Sequence, residues 1–195
     1  MRNLLTLCFI AFSFTFYTQT KELSFDLKLA NAGESIEDAD ITYDGSYYNL
    51  DYPGGDVPAN IGVCTDVIVR AYRILGIDLQ KEIHEDVIQD IEAYRGIKKA
   101  DKNIDHRRVP NLATFFKRHG KVLSISDNST DYKPGDIIWW NLSNEGSLNH
   151  IGLVVNKKSS DGKRYLVIHN IGAGQNIGDF LFGAKIVGHY SYDGN

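Results

Sequence analysis

Cysteine is nearly absent from this chain: Cys8 and Cys64 are the only two in 195 residues. Cys8 lies inside an apolar N-terminal segment, so removal of that segment leaves Cys64 alone. A lone thiol rules out a disulfide framework within the chain and marks a group worth testing for reactivity. No Cys/His spacing of the zinc-site type exists, and no metal or organic cofactor is implied. Basic charge is not in excess either. Lys and Arg number 21 against 25 Asp and Glu, a net charge of −4, which argues against a nucleic-acid partner because that needs a basic face. There is no internal repeat, no low-complexity tract and no Pro/Ser-rich linker. Beyond the N-terminus, no apolar run approaches the roughly 20 residues that cross a bilayer.

What the N-terminus does have is the layout of a secretory signal peptide. Met1-Arg2-Asn3 is short and basic, Leu4 to Tyr17 is apolar, and Thr18-Gln19-Thr20 offers small residues at alternate positions. Cleavage is expected near Thr18 to Thr20, giving a leader over residues 1–20 and one domain over 21–195. The expected location is periplasmic or secreted, with no stable membrane insertion after cleavage. Arg2 is the only charged residue of the leader, so the remainder carries 20 basic side chains against 25 acidic ones. A chain of about 175 residues is long enough to bury a sizeable core.

Hydrophobic spacing then gives the order of elements. Leu23 to Ala32 reads as a first helix, and Asp40 to Tyr52 as an irregular Tyr/Asp/Gly-rich approach. Its tyrosines are expected to pack around the loop. After Cys64, the residues Val67, Ile68, Ala71, Ile74 and Leu75 fall on one helical face that Gly76 closes. Leu79, Ile83, Val87 and Ile91 step by four and predict an amphipathic helix reaching Tyr94. Pro110 opens a helix that stops at Gly120. Strands follow over Asp136 to Trp140, His150 to Val155, Arg164 to Ile168 and Lys185 to Tyr192, with Asp161-Gly162 as a hairpin signal. Helices first and an antiparallel sheet after them make an α+β fold, the helices packed on one side of the sheet. Gly172-Ala173-Gly174 follows a strand but has the wrong spacing and no helix after it for a dinucleotide fingerprint. His84-Glu85-Asp86 lacks the second histidine of a zinc-protease helix.

Cys64 at a helix start sits where unpaired N–H groups and the helix dipole favour negative charge, which predicts a lowered thiol pKa and a nucleophile. A cysteine nucleophile needs a base, and the base an orienting partner. His150 begins one strand and His169 ends its hairpin neighbour, so the two are expected side by side, with Asn170 as the alternative third member if the register slips by one. Asp105-His106-Arg107-Arg108 is a second candidate site, in which Arg107 and Arg108 are expected to clamp a substrate carboxylate.

These pieces in order resemble the NlpC-type cell-wall peptidases of the papain-like superfamily. The matching stretches are Tyr52-Pro53-Gly54-Gly55, Cys64 opening a helix, Pro134-Gly135-Asp136-Ile137-Ile138-Trp139-Trp140, His150-Ile151-Gly152-Leu153-Val154 and Ile168-His169. Asp51 to Pro58, Asp105 to Leu112 and His169 to Gly174 resemble an uncharacterised bacterial branch of it. The resemblance implies a papain-like fold and a cysteine peptidase or amidase acting on peptidoglycan stem peptides. It implies Cys64 as nucleophile, His150 as base, His169 as the third polar residue and Tyr52 as a helper at the oxyanion. Where the family usually has Asp-Cys-Ser-Gly, this chain has Val63-Cys64-Thr65-Asp66, so Asp66 and Asn170 are expected to shape a different pocket. Acyl transfer through the same thioester, or a cell-wall peptide-binding module without turnover, are the competing functions.

Overall fold

A computed structural model describes residues 22–143, 145 and 148–194. The expected leader lies outside the described residues. The described chain begins with helix α1 (Phe25–Ser35), capped by the Ser24 side chain, which accepts from the Leu27 N–H. Two-residue strands β1 (Thr42–Tyr43) and β2 (Ile61–Gly62) pair in parallel. Helices α2 (Cys64–Ile74), α3 (Leu79–Gln89) and α4 (Val109–His119) follow. Strands β3 (Lys121–Val122), β4 (Ile137–Asn141), β5 (Asn149–Lys158), β6 (Tyr165–Asn170), β7 (Gln175–Gly178) and β8 (Lys185–Ser191) complete it. These six form one antiparallel sheet in the order β3-β8-β4-β5-β6-β7.

The helix expected over Leu79 to Tyr94 ends at Gln89. Asp90 leaves helical geometry (φ −147°, ψ 70°), and Ile91–Ala93 form a separate 3₁₀ turn. The other helices start and stop within a few residues of their sequence signals. β1, β2, β3 and β7 have no counterpart among the expected strands, since strands of two to four residues are too short to show a period of two.

The sheet is covered on both faces. Toward the helices it presents Ile137, Ile151, Leu153, Val155, Ile168 and Tyr190, which pack with Leu29 of α1, Val67, Ile68 and Tyr72 of α2, and Leu112 and Phe116 of α4. Each such fully buried side chain contributes roughly 1.5–3 kcal/mol of apolar burial. α1 lies so close to β5 that a Cβ on Gly33 would sit 2.7 Å from Leu153 Cδ2. On the other face Ile138, Trp140, Val154 and Val167 pack with Tyr132 and Leu181 from the loops. Alternation along β5 therefore assigns Ile151 and Leu153 to the helix side, and His150, Gly152 and Val154 to the far side.

Candidate active site

Cys64 is the first residue of α2, and the residues before it fix its position. Val63 is extended (φ −121°, ψ −178°), which turns the chain sharply into the helix. Asp66, on the first turn, accepts the Val63 N–H at 2.7 Å. The main-chain N–H groups of Ile151, Thr65 and Cys64 itself act on the thiol, each favouring its charged form. Ile151 is the residue after His150, so the thiol meets β5 at the peptide next to the candidate base.

His150 pairs with Trp140 across β4 and β5. Its Nε2 lies 2.7 Å from His169 Nδ1. Gly152 makes the approach of β6 possible on this face: a Cβ there would fall 2.8 Å from Val167 Cγ1 and 3.1 Å from Trp140. Phe180 stacks on His169 with ring centroids 4.6 Å apart, and Trp140 is held by its Nε1–H donating to the Leu181 carbonyl. The two rings are thus boxed by aromatic side chains that limit their rotation. Asn170 plays a different part. Its Nδ2 donates to the Gly62 carbonyl at 3.2 Å, tying β6 to the entry of α2. The structure brings His150 and His169 into hydrogen-bond contact. Cys64 lies at the adjoining main chain, and no direct hydrogen bond joins it to His150 among the described residues.

Electrostatics at the thiol run opposite to the expectation from the helix start. Cys64 is only 4% exposed. Burial pushes its pKa up to about 11, although the three N–H groups pull it down. Burial likewise lowers His150 to about 3, with the neighbouring His169 adding to the shift, and lowers His169 to about 4. At neutral pH the resting site holds a neutral thiol and neutral imidazoles. Desolvation outweighs the first-turn N–H groups here because a buried charge loses far more solvation than a helix terminus returns.

Neither His150 nor His169 lines the cleft at Cys64, since both face Phe180 on the other side of the sheet, and Tyr52, Asp66 and Arg107 are likewise not placed as expected. Tyr52 does not line the Cys64 cleft. Its hydroxyl donates to Glu85 and its ring edge meets His84 at 5.3 Å. Asp66 is buried beneath the cleft rather than presented to it. Its carboxylate is gripped by Arg107, Nε to Oδ1 and Nη2 to Oδ2, both at 3.0 Å. Arg107 is therefore not free for a substrate. It also donates to the Ser46 carbonyl (2.9 Å) and the Asp44 carbonyl (3.1 Å), fastening the segment after β1 to the first turn of α2. Arg108 is the opposite case, exposed on the cleft wall.

The cleft itself has a volume of about 480 Å³ and is lined by Tyr43, Cys64, Arg95, Arg108, Leu148 and Asn149, among others. Tyr43 is a lining residue that the sequence pattern does not single out. It lies opposite Gly62 in the β1–β2 ladder, and Gly62 is two positions before Cys64. Its hydroxyl is held above its ordinary pKa, first by burial and then by the neighbouring Cys64 and Asp66. The signal that marks it is tertiary, since a two-residue parallel ladder has no sequence pattern.

Comparison with known proteins places this arrangement. A family model described as "Domain of unknown function (DUF1287)" matches residues 29–192. "Uncharacterized protein YijF" of Escherichia coli (strain K12) is 47% identical over 170 residues, 86% of this chain and 82% of that protein. Among solved structures, NlpC2 from Trichomonas vaginalis superposes with a TM-score of 0.52 at 16% identity, over 91% of this chain and 50% of that one. NlpC1 from the same organism gives 0.47 at 16% identity, over 89% and 46%. The chain thus spans about half the length of these solved structures. At that identity the NlpC2 likeness shows the fold: helices on an antiparallel sheet in the papain-like, NlpC-type arrangement.

Proposed function

The chain belongs to the DUF1287 family and has an NlpC-type papain-like fold, and from these we propose that it is a secreted or periplasmic cysteine hydrolase that cuts an amide bond in peptidoglycan stem peptides. The observation that carries the reading is the wiring at one strand end. Cys64 opens α2 and packs in one cluster with Ile151, and the residue before Ile151, His150, is hydrogen-bonded through Nε2 to His169.

In the working tautomer His150 donates from Nε2 to His169 Nδ1, which leaves Nδ1 of His150 as the base. Cys64 attacks the scissile carbonyl carbon as its proton passes to that Nδ1. The proton then goes to the leaving amine as the C–N bond breaks. Water, deprotonated by the same nitrogen, hydrolyses the thioester and restores the thiol. Because the resting pair is neutral, proton transfer accompanies attack rather than preceding it. In the resting structure His150 faces away from α2, against Trp140 and Phe180, so this step requires the start of β5 to turn its imidazole to the sulfur in the reactant complex. The developing oxyanion is received by N–H groups at the α2 start, with Tyr43 as the hydroxyl donor in the role expected from sequence for Tyr52.

One observation favours a second reading, a peptide-binding module without turnover: the thiol is 4% exposed and its pKa is raised. Mass spectrometry of purified peptidoglycan fragments separates the two. New peptide termini formed by the wild type and absent with Cys64→Ser support the hydrolase. Unchanged fragments bound by both proteins support the module. The same spectra, collected with an added amine, distinguish hydrolysis from acyl transfer.

A further inference from the structure

The described residues include seven arginines. Arg70 and Arg73 pair with Asp56, Arg107 with Asp66, Arg118 with Asp86 and Asp90, and Arg164 with Asp161 and Asp179. The remaining two, Arg95 and Arg108, are exposed and make no ion pair or hydrogen bond among the described residues. Both line the Cys64 cleft, and among the described residues no carboxylate lines it. Asp66, the nearest acidic side chain to the nucleophile along the helix, is already neutralised by Arg107. In a chain with a net charge of −4, the uncompensated guanidinium groups among the described residues are gathered in one cleft, which Cys64 also lines.

We propose that Arg95 and Arg108 form an anion subsite that takes a carboxylate of the peptide substrate. This deepens the hydrolase reading and rests on it for the word substrate, though not for the binding itself. Guanidinium suits such a role because it stays charged and its planar fork matches a carboxylate with two parallel N–H donors. Arg107 acts as a positioning residue here. Its four hydrogen bonds hold the Asp105–Arg107 turn rigid, so that the next residue, Arg108, is presented from a fixed backbone at the start of α4. Leu148 and Ile97, which line the same cleft, supply apolar surface for the adjoining part of the peptide.

The test needs no turnover. Cys64→Ser protein is titrated with N-acetylglutamate and, separately, with its diamide, following methyl NMR signals of Leu148 and Ile97. The expected result is that the acid binds at least five-fold more tightly than the diamide, with a preference that shrinks as salt rises. Arg95→Gln and Arg108→Gln should each reduce that preference by about two- to five-fold, the range for exposed charge pairs, and the double variant should remove it. Both side chains are exposed and unpaired, so the variants fold as the parent does. Equal binding of acid and diamide overturns the proposal, as does a preference that survives in the double variant. Tighter binding of inorganic phosphate at the same signals overturns the carboxylate assignment. An acid preference in a protein that cleaves nothing leaves the subsite standing and removes the hydrolase. Cleavage without an acid preference does the reverse.

Discussion

Arg107→Ala is the substitution whose consequence the structure defines most sharply. The guanidinium side chain is 1% exposed and its partner Asp66 is 3% exposed. It makes two bonds of 3.0 Å to that carboxylate and two more to the Ser46 and Asp44 carbonyls. Deleting it leaves a buried carboxylate without its counter-ion, a change that costs about 3–5 kcal/mol. For a domain of this size each kcal/mol lowers Tm by about 2–4 °C, so a fall of about 10 °C is expected. Arg108→Ala, one residue on, removes an exposed and unpaired side chain and should cost under about 0.5 kcal/mol. Urea unfolding of both variants, with Asp66→Ala and the Asp66→Ala/Arg107→Ala double, closes a double-mutant cycle. The double should be less destabilised than the sum of the singles by about 2 kcal/mol or more, because it removes the charge that the single strands. A loss below about 1 kcal/mol for Arg107→Ala, or equal losses at 107 and 108, would refute the assignment of Arg107 to the framework.

Further outcomes follow from the same geometry. His150 and His169 sit at about 3 and about 4, below the ordinary histidine value of 6.5, so the folded state binds fewer protons than the unfolded one. Their contribution to stability is complete above about pH 6.5 and is lost progressively as pH falls from there to about 3; the urea midpoint should drop across that whole window, and less steeply in His150→Gln. For the thiol, raised to about 11, the alkylation rate of folded protein should climb through about pH 9 to 11 rather than level off near neutrality. His169→Ala should lower turnover while leaving Cys64 alkylatable, whereas Asn170→Ala, which loses the tie to Gly62, should act first on thermal stability; a larger loss of turnover in Asn170→Ala would reverse the roles. Tyr43→Phe should reduce kcat by about 10²-fold if its hydroxyl serves the oxyanion, and Tyr52→Phe should leave it within about two-fold.

The helical half of the molecule is largely legible from spacing. Val67, Ile68 and Ala71 repeat on one face and are buried as that repeat implies, and Pro110 and Gly120 bracket α4. The long strands are legible for the same reason. The candidate site can be read only where neighbours in sequence are also neighbours in space. His150 and His169 meet because one hairpin carries both. Choosing between adjacent arginines is beyond a periodic argument, because a 3₁₀ turn sends Arg107 inward to Asp66 and leaves Arg108 outside. Choosing between Tyr43 and Tyr52 depends on a two-residue ladder without a pattern. The thiol pKa runs against its sequence expectation because a helix start is visible in sequence, whereas the depth of burial that outweighs it is set by β5 and its loops.

The central claim is that Cys64 forms a covalent acyl-enzyme with a cell-wall peptide, and capture of that species tests it most directly. Wild-type protein is mixed with a stem-peptide substrate, quenched in acid within the first turnover and digested, and the Cys64 peptide is weighed by mass spectrometry. The predicted result is a mass increase on Cys64 equal to the acyl half of the substrate, absent in Cys64→Ser and formed far more slowly in His150→Ala. New peptide fragments appearing at an undiminished rate with Cys64→Ser, or with Cys64 never acylated, would contradict it.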